Sequence, residues 1–140
     1  MVDPRRVRQL LDRIAEEVAH LERLAAIEPA TLLADHDRMH AIKYGFVVTI
    51  ECAIDVGRHI IASEGLPIPD TFAEVFSILS KGGVIESEIG ASMERAARFR
   101  NLLVHQYGTV DDSQVIDILR SQIAVFTDFR RQIAATIANT

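Results

Sequence analysis

The spacing of apolar residues leaves this chain little choice but helices. From Val7 through Leu11, Ile14, Val18 and Leu21 to Ala25, apolar side chains recur at alternating intervals of four and three. That rhythm gathers them on one face of a helix with 3.6 residues per turn, a heptad seam suited to a bundle or a dimer. Helical spacing returns at Met39, Phe46, Ile50, Ile54 and Ile61, and again at Val115, Leu119, Ile123, Phe126, Ile133 and Ile137. Nowhere does polar–apolar alternation last long enough to make a convincing strand.

Breakers and caps divide the pattern. Asp3 followed by Pro4 opens the first helix, because an N-cap carboxylate and a proline at the first helical position both suit a helix start. Pro29 marks a short helical turn. A long helix then runs from about Asp35 to Ser63, stopped by Gly65 and Pro67. A shorter one from Asp70 or Thr71 to Lys81 ends at Gly82-Gly83. The next runs from about Glu86 to Tyr107 with Gly108 as its C-terminal cap, and Thr109 or Asp111 opens one last helix. The expected fold is all-α, an antiparallel bundle of four to five helices in a single domain spanning 1–140.

Composition narrows the setting. Apolar residues make up 49% of the chain, enough for a real core and too many for a disordered segment. Charges interrupt every apolar run before a membrane-spanning length, and the stretch Met1-Val2-Asp3-Pro4-Arg5-Arg6 leads into an amphipathic helix rather than a signal sequence. A single cysteine, Cys52, excludes an internal disulfide and fits a reducing cytoplasm, with the thiol buried and inert. The formal charge of −5 argues against general nucleic-acid coating. Charge is uneven, however: residues 95–105 hold Arg95, Arg98, Arg100 and His105 and no acid.

Chemistry concentrates in Arg100-Asn101-Leu102-Leu103-Val104-His105-Gln106-Tyr107-Gly108. Arginine keeps its charge and offers phosphate a planar fork of donors. Histidine gives or takes a proton near neutral pH, and the negative pole of a helix suits its cationic form. RNA carries its own nucleophile, the 2′-hydroxyl, so cleavage by this pair requires no metal or other cofactor. Residues five apart are separated by about 140° around a helix, so Arg100 and His105 should face different ways. Arg100 falls on the apolar stripe with Ile89, Met93, Ala96, Leu103, Val104 and Tyr107, whereas His105 shares a stripe with Glu94, Arg98 and Asn101. Phe99 and Leu102 widen the apolar surface beyond what one core contact needs. A homodimer, in which two copies of this helix meet, resolves both points.

The run from Arg100-Asn101 to Val104-His105-Gln106-Tyr107 and Val110-Asp111 resembles the signature of HepT-like toxins of the HEPN superfamily: an arginine, a polar residue, a spacer, then His-x-Tyr. The stretch Ile50 to Ala62 looks like the family's second long helix, and Pro69 to Leu79 like its middle segment. The resemblance covers about residues 35–120. It implies a dimeric helical bundle with a metal-independent endoribonuclease site at the interface. Arg100 and His105 would be the catalytic pair, assisted by Asn101. It also implies a toxin–antitoxin partner, an MntA-type nucleotidyltransferase that attaches AMP to the tyrosine, here Tyr107. RNA is the implied substrate, and no DNA or membrane partner is expected. The alternative is a non-catalytic helical nucleotide-binding or scaffold partner of a nucleotidyltransferase.

Other clusters read as structural. His36 and His40 have the spacing of a helical zinc pair, but no third ligand is obvious and they open a helix, so a solvated helix start is the reading. Glu51 and Asp55 share a face and are expected to pair with Arg58 or His59, with a supporting role near the cleft left open. His59 reads as a partly buried structural residue. Asp111 and Asp112 read as a cap and first-turn charge. Arg5, Arg6, Arg8 and Arg13 read as a solvated face, with RNA contact left open.

Overall fold

The computed structural model describes residues 3–138. Met1 and Val2, at the head of the stretch read for a signal, and Asn139 and Thr140, at the far end of the expected 1–140 domain, lie outside them. Helices α1 (Pro4–Ala25), α2 (Pro29–Leu33), α3 (His36–Glu64), α4 (Phe72–Lys81), α5 (Ser87–His105), α6 (Asp112–Ser121) and α7 (Ile123–Ala138) follow one another, and a 3-10 turn at Tyr107–Thr109 separates α5 from α6. The described residues contain no strand, and none of their helices is long and apolar enough to cross a membrane.

Local chemistry sets these boundaries. Asp3 accepts from the backbone N–H groups of Arg5 and Arg6, and Asp35 from that of Arg38. Gly65 ends α3 in the left-handed conformation, φ 66°, and Leu66 N–H closes the turn on the Ile61 carbonyl at 3.0 Å. Thr71 caps α4 through the Glu74 N–H, while the Glu74 carboxylate accepts from Asp70 N–H. Asp111 caps α6 through the Ser113 N–H.

Two boundaries depart from the sequence reading. α5 stops at His105, capped by Gln106 at φ −130° and ψ 34°, and not at Gly108. Gly65 and Gly83 are the described glycines with positive φ, so Gly108 supplies no left-handed cap. Instead, the Thr109 hydroxyl and N–H both donate to the Gln106 carbonyl and tighten the chain into the 3-10 turn. Tyr107 therefore leaves the α5 stripe. The expected final helix is likewise two. Ser121 donates its hydroxyl back to the Asp117 carbonyl at 2.7 Å, and the chain breaks at Gln122 before α7 begins. The apolar spacing runs unbroken through this bend, and for that reason periodicity could not reveal it.

α3 is the axis of the bundle and touches α1, α2, α4, α5 and α6. The α1 seam is buried as its spacing predicts, from Val7 to Leu21, and Leu10 and Leu24 broaden it into a face that packs on α3 and α7. Met39, Phe46, Ile50, Ile54 and Ile61 all lie in the core. Aromatic edges lock the layers: Phe46 meets Phe99 of α5 at 5.3 Å between centroids, and Phe76 of α4 meets Phe129 of α7 at 5.6 Å.

α4 comes close to α3 at Gly57. A Cβ there would stand 2.4 Å from Val75 Cγ1 and 3.1 Å from Leu79 Cδ1. Alanine in a helix interior is worth about 1 kcal/mol over glycine, but overpacking a filled core costs roughly 1–3 kcal/mol. Gly57→Ala is expected to lower the unfolding free energy by up to about 2 kcal/mol in urea titration; a raised midpoint would show that α4 yields freely. Cys52 is half-buried, and burial pushes its thiol up from its ordinary value, opposed by Arg13 and reinforced by Asp55 and Glu17. Its thiolate is scarce near pH 7, so iodoacetamide should label the native chain roughly tenfold or more slowly than the urea-unfolded chain.

Candidate functional site

Gly90, Met93, Ala97 and Leu103 form the buried stripe of α5, and Arg100 falls on it, as its helical phase requires. An arginine at such a position needs a partner. It has three. Glu51 of α3 places one carboxylate oxygen, Oε1, 2.8 Å from Nη2 and 3.3 Å from Nε. Asn101 Oδ1 accepts from Nη1 at 3.1 Å. The guanidinium carbon lies 4.9 Å from the centroid of the Phe72 ring, at the start of α4.

These contacts aim the guanidinium without exhausting it. Arginine has five N–H donors; the three hydrogen bonds named leave one N–H on Nη1 and one on Nη2 uncommitted among the described residues. Free guanidinium donors of this kind pair with phosphate oxygens. Glu51 thus pairs with Arg100, not with Arg58 or His59. His59 is exposed, against the partly buried state read from sequence.

Asn101 and His105, one helical turn apart, line an open groove of about 350 Å³ with Arg58, Pro69, Asp70, Thr71 and Phe72. His105 is exposed at the last turn of α5. Arg58 reaches the same Phe72 ring, 5.1 Å from its centroid, so two guanidinium groups converge on one aromatic side chain. Asn101 links the two parts, bonding Arg100 while lining the His105 groove. Arg100 itself is held on the α3 side by Glu51 and is not among the groove's lining residues.

Tyr107 goes elsewhere. Its hydroxyl hydrogen-bonds His40 Nδ1 near the start of α3, and His40 Nε2 lies 2.8 Å from His36 Nε2. The Lys43 ammonium sits 4.6 Å from the centroid of the Tyr107 ring and 2.8 Å from Asp112 Oδ1. His36 and His40 are solvent-exposed, as a helix start suggests, but they bond each other and the tyrosine. Lys43 and Asp112 were invisible as a pair, because nothing in their separate patterns joins α3 to α6. Glu51 is eleven residues beyond His40, roughly 16 Å along the helix at its usual rise. The tyrosine hydroxyl and the Arg100 guanidinium of one chain are thus anchored far apart.

Comparison with known proteins places the chain in a family. The family model described as ribonuclease HepT-like matches residues 14–133. The chain belongs to this family. The tRNA nuclease HepT of Aphanizomenon flos-aquae is 23% identical over 132 residues, covering 94% of this chain and 90% of that protein. The mRNA nuclease HepT of Shewanella oneidensis is 24% identical over 79 residues, 56% of this chain and 59% of that one. Among solved structures, the cytosolic protein YutE of Bacillus subtilis superposes with a TM-score of 0.87 at 18% identity, covering 99% and 92% of the two chains. The tri-AMPylated HEPN toxin of Shewanella oneidensis, in complex with its MNT antitoxin, gives 0.86 at 18% identity, covering 96% and 99%. The HepT-like fold therefore extends along nearly the whole chain.

Within that fold the Arg100–Glu51 pair joins a nearly buried guanidinium, 14% exposed, to a carboxylate 46% exposed. So open a pair contributes at most about 1 kcal/mol to stability. Glu51→Gln should change the unfolding free energy by less than that, and a loss of several kcal/mol would mean that the pair holds the bundle together rather than aiming the guanidinium.

Proposed function

We propose that the chain is the toxin of a toxin–antitoxin pair: a homodimeric, metal-independent endoribonuclease whose catalytic residues are Arg100, Asn101 and His105. Its restraint is an MntA-type nucleotidyltransferase antitoxin that AMPylates Tyr107. The observation carrying this reading is the Arg100 guanidinium, oriented by Glu51, Asn101 and Phe72 with two N–H donors uncommitted, beside a groove that holds His105.

In the proposed reaction the scissile phosphate meets the Arg100 guanidinium, which stabilises the charge gathering on its pentacoordinate form. His105 takes the proton of the 2′-hydroxyl, and the oxygen attacks the adjacent phosphorus. The leaving 5′-oxygen takes a proton from the histidine of the second copy. Asn101 keeps the arginine in register with the groove. The apolar exposure of Leu102, Val104 and Tyr107 at the end of α5, and of Tyr44 on α3, supports a second copy at this end of the bundle. The Shewanella toxin crystallised AMPylated with its antitoxin, and a nucleotide on Tyr107 would cover the same face.

RNA cleavage by purified, unmodified chain tests the reading. Arg100→Ala and His105→Ala should each lower the rate at least about a hundredfold while sedimenting as folded dimers, Glu51→Ala should lower it less than either, and EDTA should leave it unchanged. Equal cleavage by wild type, Arg100→Ala and His105→Ala would sink the assignment.

A further inference from the structure

Resting on the reading of Tyr107 as the residue that is modified, we infer that His40 is the proton acceptor that makes the Tyr107 hydroxyl a nucleophile toward a nucleoside triphosphate, with His36 holding His40 in the receptive tautomer. The ribonuclease reading uses neither histidine. Their four-residue spacing on α3 places one imidazole above the other, with ring centroids 4.3 Å apart and a 76° interplanar angle. The His40 ring in turn lies 5.2 Å from the Tyr107 ring. Three side chains from two segments thus form one chain of hydrogen bonds: Tyr107 hydroxyl, His40 Nδ1, and the two facing Nε2 atoms of His40 and His36.

The direction of that chain follows from acidity. A phenol is a stronger acid than a neutral imidazole N–H, so the hydrogen between them belongs to the phenol and Nδ1 accepts it. His40 Nε2 then carries the ring hydrogen and donates to His36 Nε2. A histidine whose far nitrogen is fixed by a second acceptor presents its lone pair to the group it must deprotonate. Lys43 adds a positive charge against the face of the same ring, which favours negative charge developing on the phenolic oxygen. Asp112 anchors that ammonium from α6.

In the transfer, the Tyr107 oxygen forms a bond to the α-phosphorus of the triphosphate as its proton passes to His40 Nδ1. The bond from that phosphorus to the bridging oxygen breaks, and pyrophosphate leaves with the electron pair. The products are a tyrosyl nucleoside monophosphate, pyrophosphate and an imidazolium at His40, whose charge is shared with His36 and later lost to water. Tyr107 is only 38% exposed, and the same hydrogen bond turns its hydroxyl toward α3, so position and activation come from one contact.

The chain has two tyrosines, so Tyr44→Phe isolates Tyr107. In that background two measurements are made: sulfonylation of Tyr107 by benzenesulfonyl fluoride, and adenylylation by ATP with a purified MntA-type nucleotidyltransferase, both read by peptide mass. His40→Ala should slow both reactions tenfold or more, and free imidazole should restore part of each rate; His40→Gln, which keeps a hydrogen-bond acceptor but no proton acceptor, should stay slow. Wild-type rates for His40→Ala in both reactions overturn the inference, as does full recovery with His40→Gln. Sulfonylation that depends on His40, with no adenylylation of Tyr107, retires the modification reading alone and leaves the activated tyrosine standing. Circular dichroism of each variant separates these outcomes from unfolding.

Discussion

The bundle depends on α3 being buried on its inner face along almost its whole length while keeping one polar edge. Thirteen of its side-chain positions, from Met39 to Ile61, are buried, and five other helices lean on it. A helix so surrounded is a rigid ruler, and its remaining edge carries His36, His40 and Glu51. Whatever these three touch is fixed in position by the core rather than by loops. They touch Tyr107 and Arg100, so the hydrophobic effect that assembles the core also sets the geometry of the polar site.

This explains why a weak ion pair is worth keeping. A half-exposed carboxylate beside Arg100 adds little to stability, and an uncharged pair of similar shape would serve the fold as well. What Glu51 supplies is direction. By taking Nε and one hydrogen of Nη2 on a single oxygen, while Asn101 takes one of Nη1 and the Phe72 ring lies 4.9 Å from the guanidinium carbon, it leaves two N–H donors open to a ligand. A lysine at position 100 would carry the same charge but not this planar set of donors.

The sequence disclosed more of the fold than of the site. Periodicity placed the buried seam of α1 from Val7 to Leu21 and five of the thirteen buried positions of α3, and Asp3, Asp35, Gly65 and Asp111 announced their caps, because those signals are local. The bend at Ser121 was silent, since a hydroxyl turned onto the previous turn changes no apolar interval. The end of α5 was misread because glycine after a helix is usually its cap, whereas here Gln106 ends the helix and Gly108 lies inside a tight turn. That small error had a large consequence: it put Tyr107 on the Arg100 stripe, when the turn carries it to His40. Glu51 was noticed but given the wrong partner, because neighbours on its own helix were in view and Arg100, 49 residues away, was not.

The separation of the two anchors bears on how the proposed modification of Tyr107 would act. Within one chain the Tyr107 hydroxyl is tied at His40 and the Arg100 guanidinium at Glu51, about 16 Å apart along α3. An adduct on the tyrosine is therefore not a plug for the arginine beside it. In the proposed homodimer, with the exposed apolar end of α5 at the seam, a nucleotide on Tyr107 of one copy would stand nearer its partner than its own Arg100. There its phosphate would compete with RNA for a guanidinium, and its bulk would obstruct the seam. On that reading inhibition would act between copies, and one modified chain would disable a site to which both copies contribute.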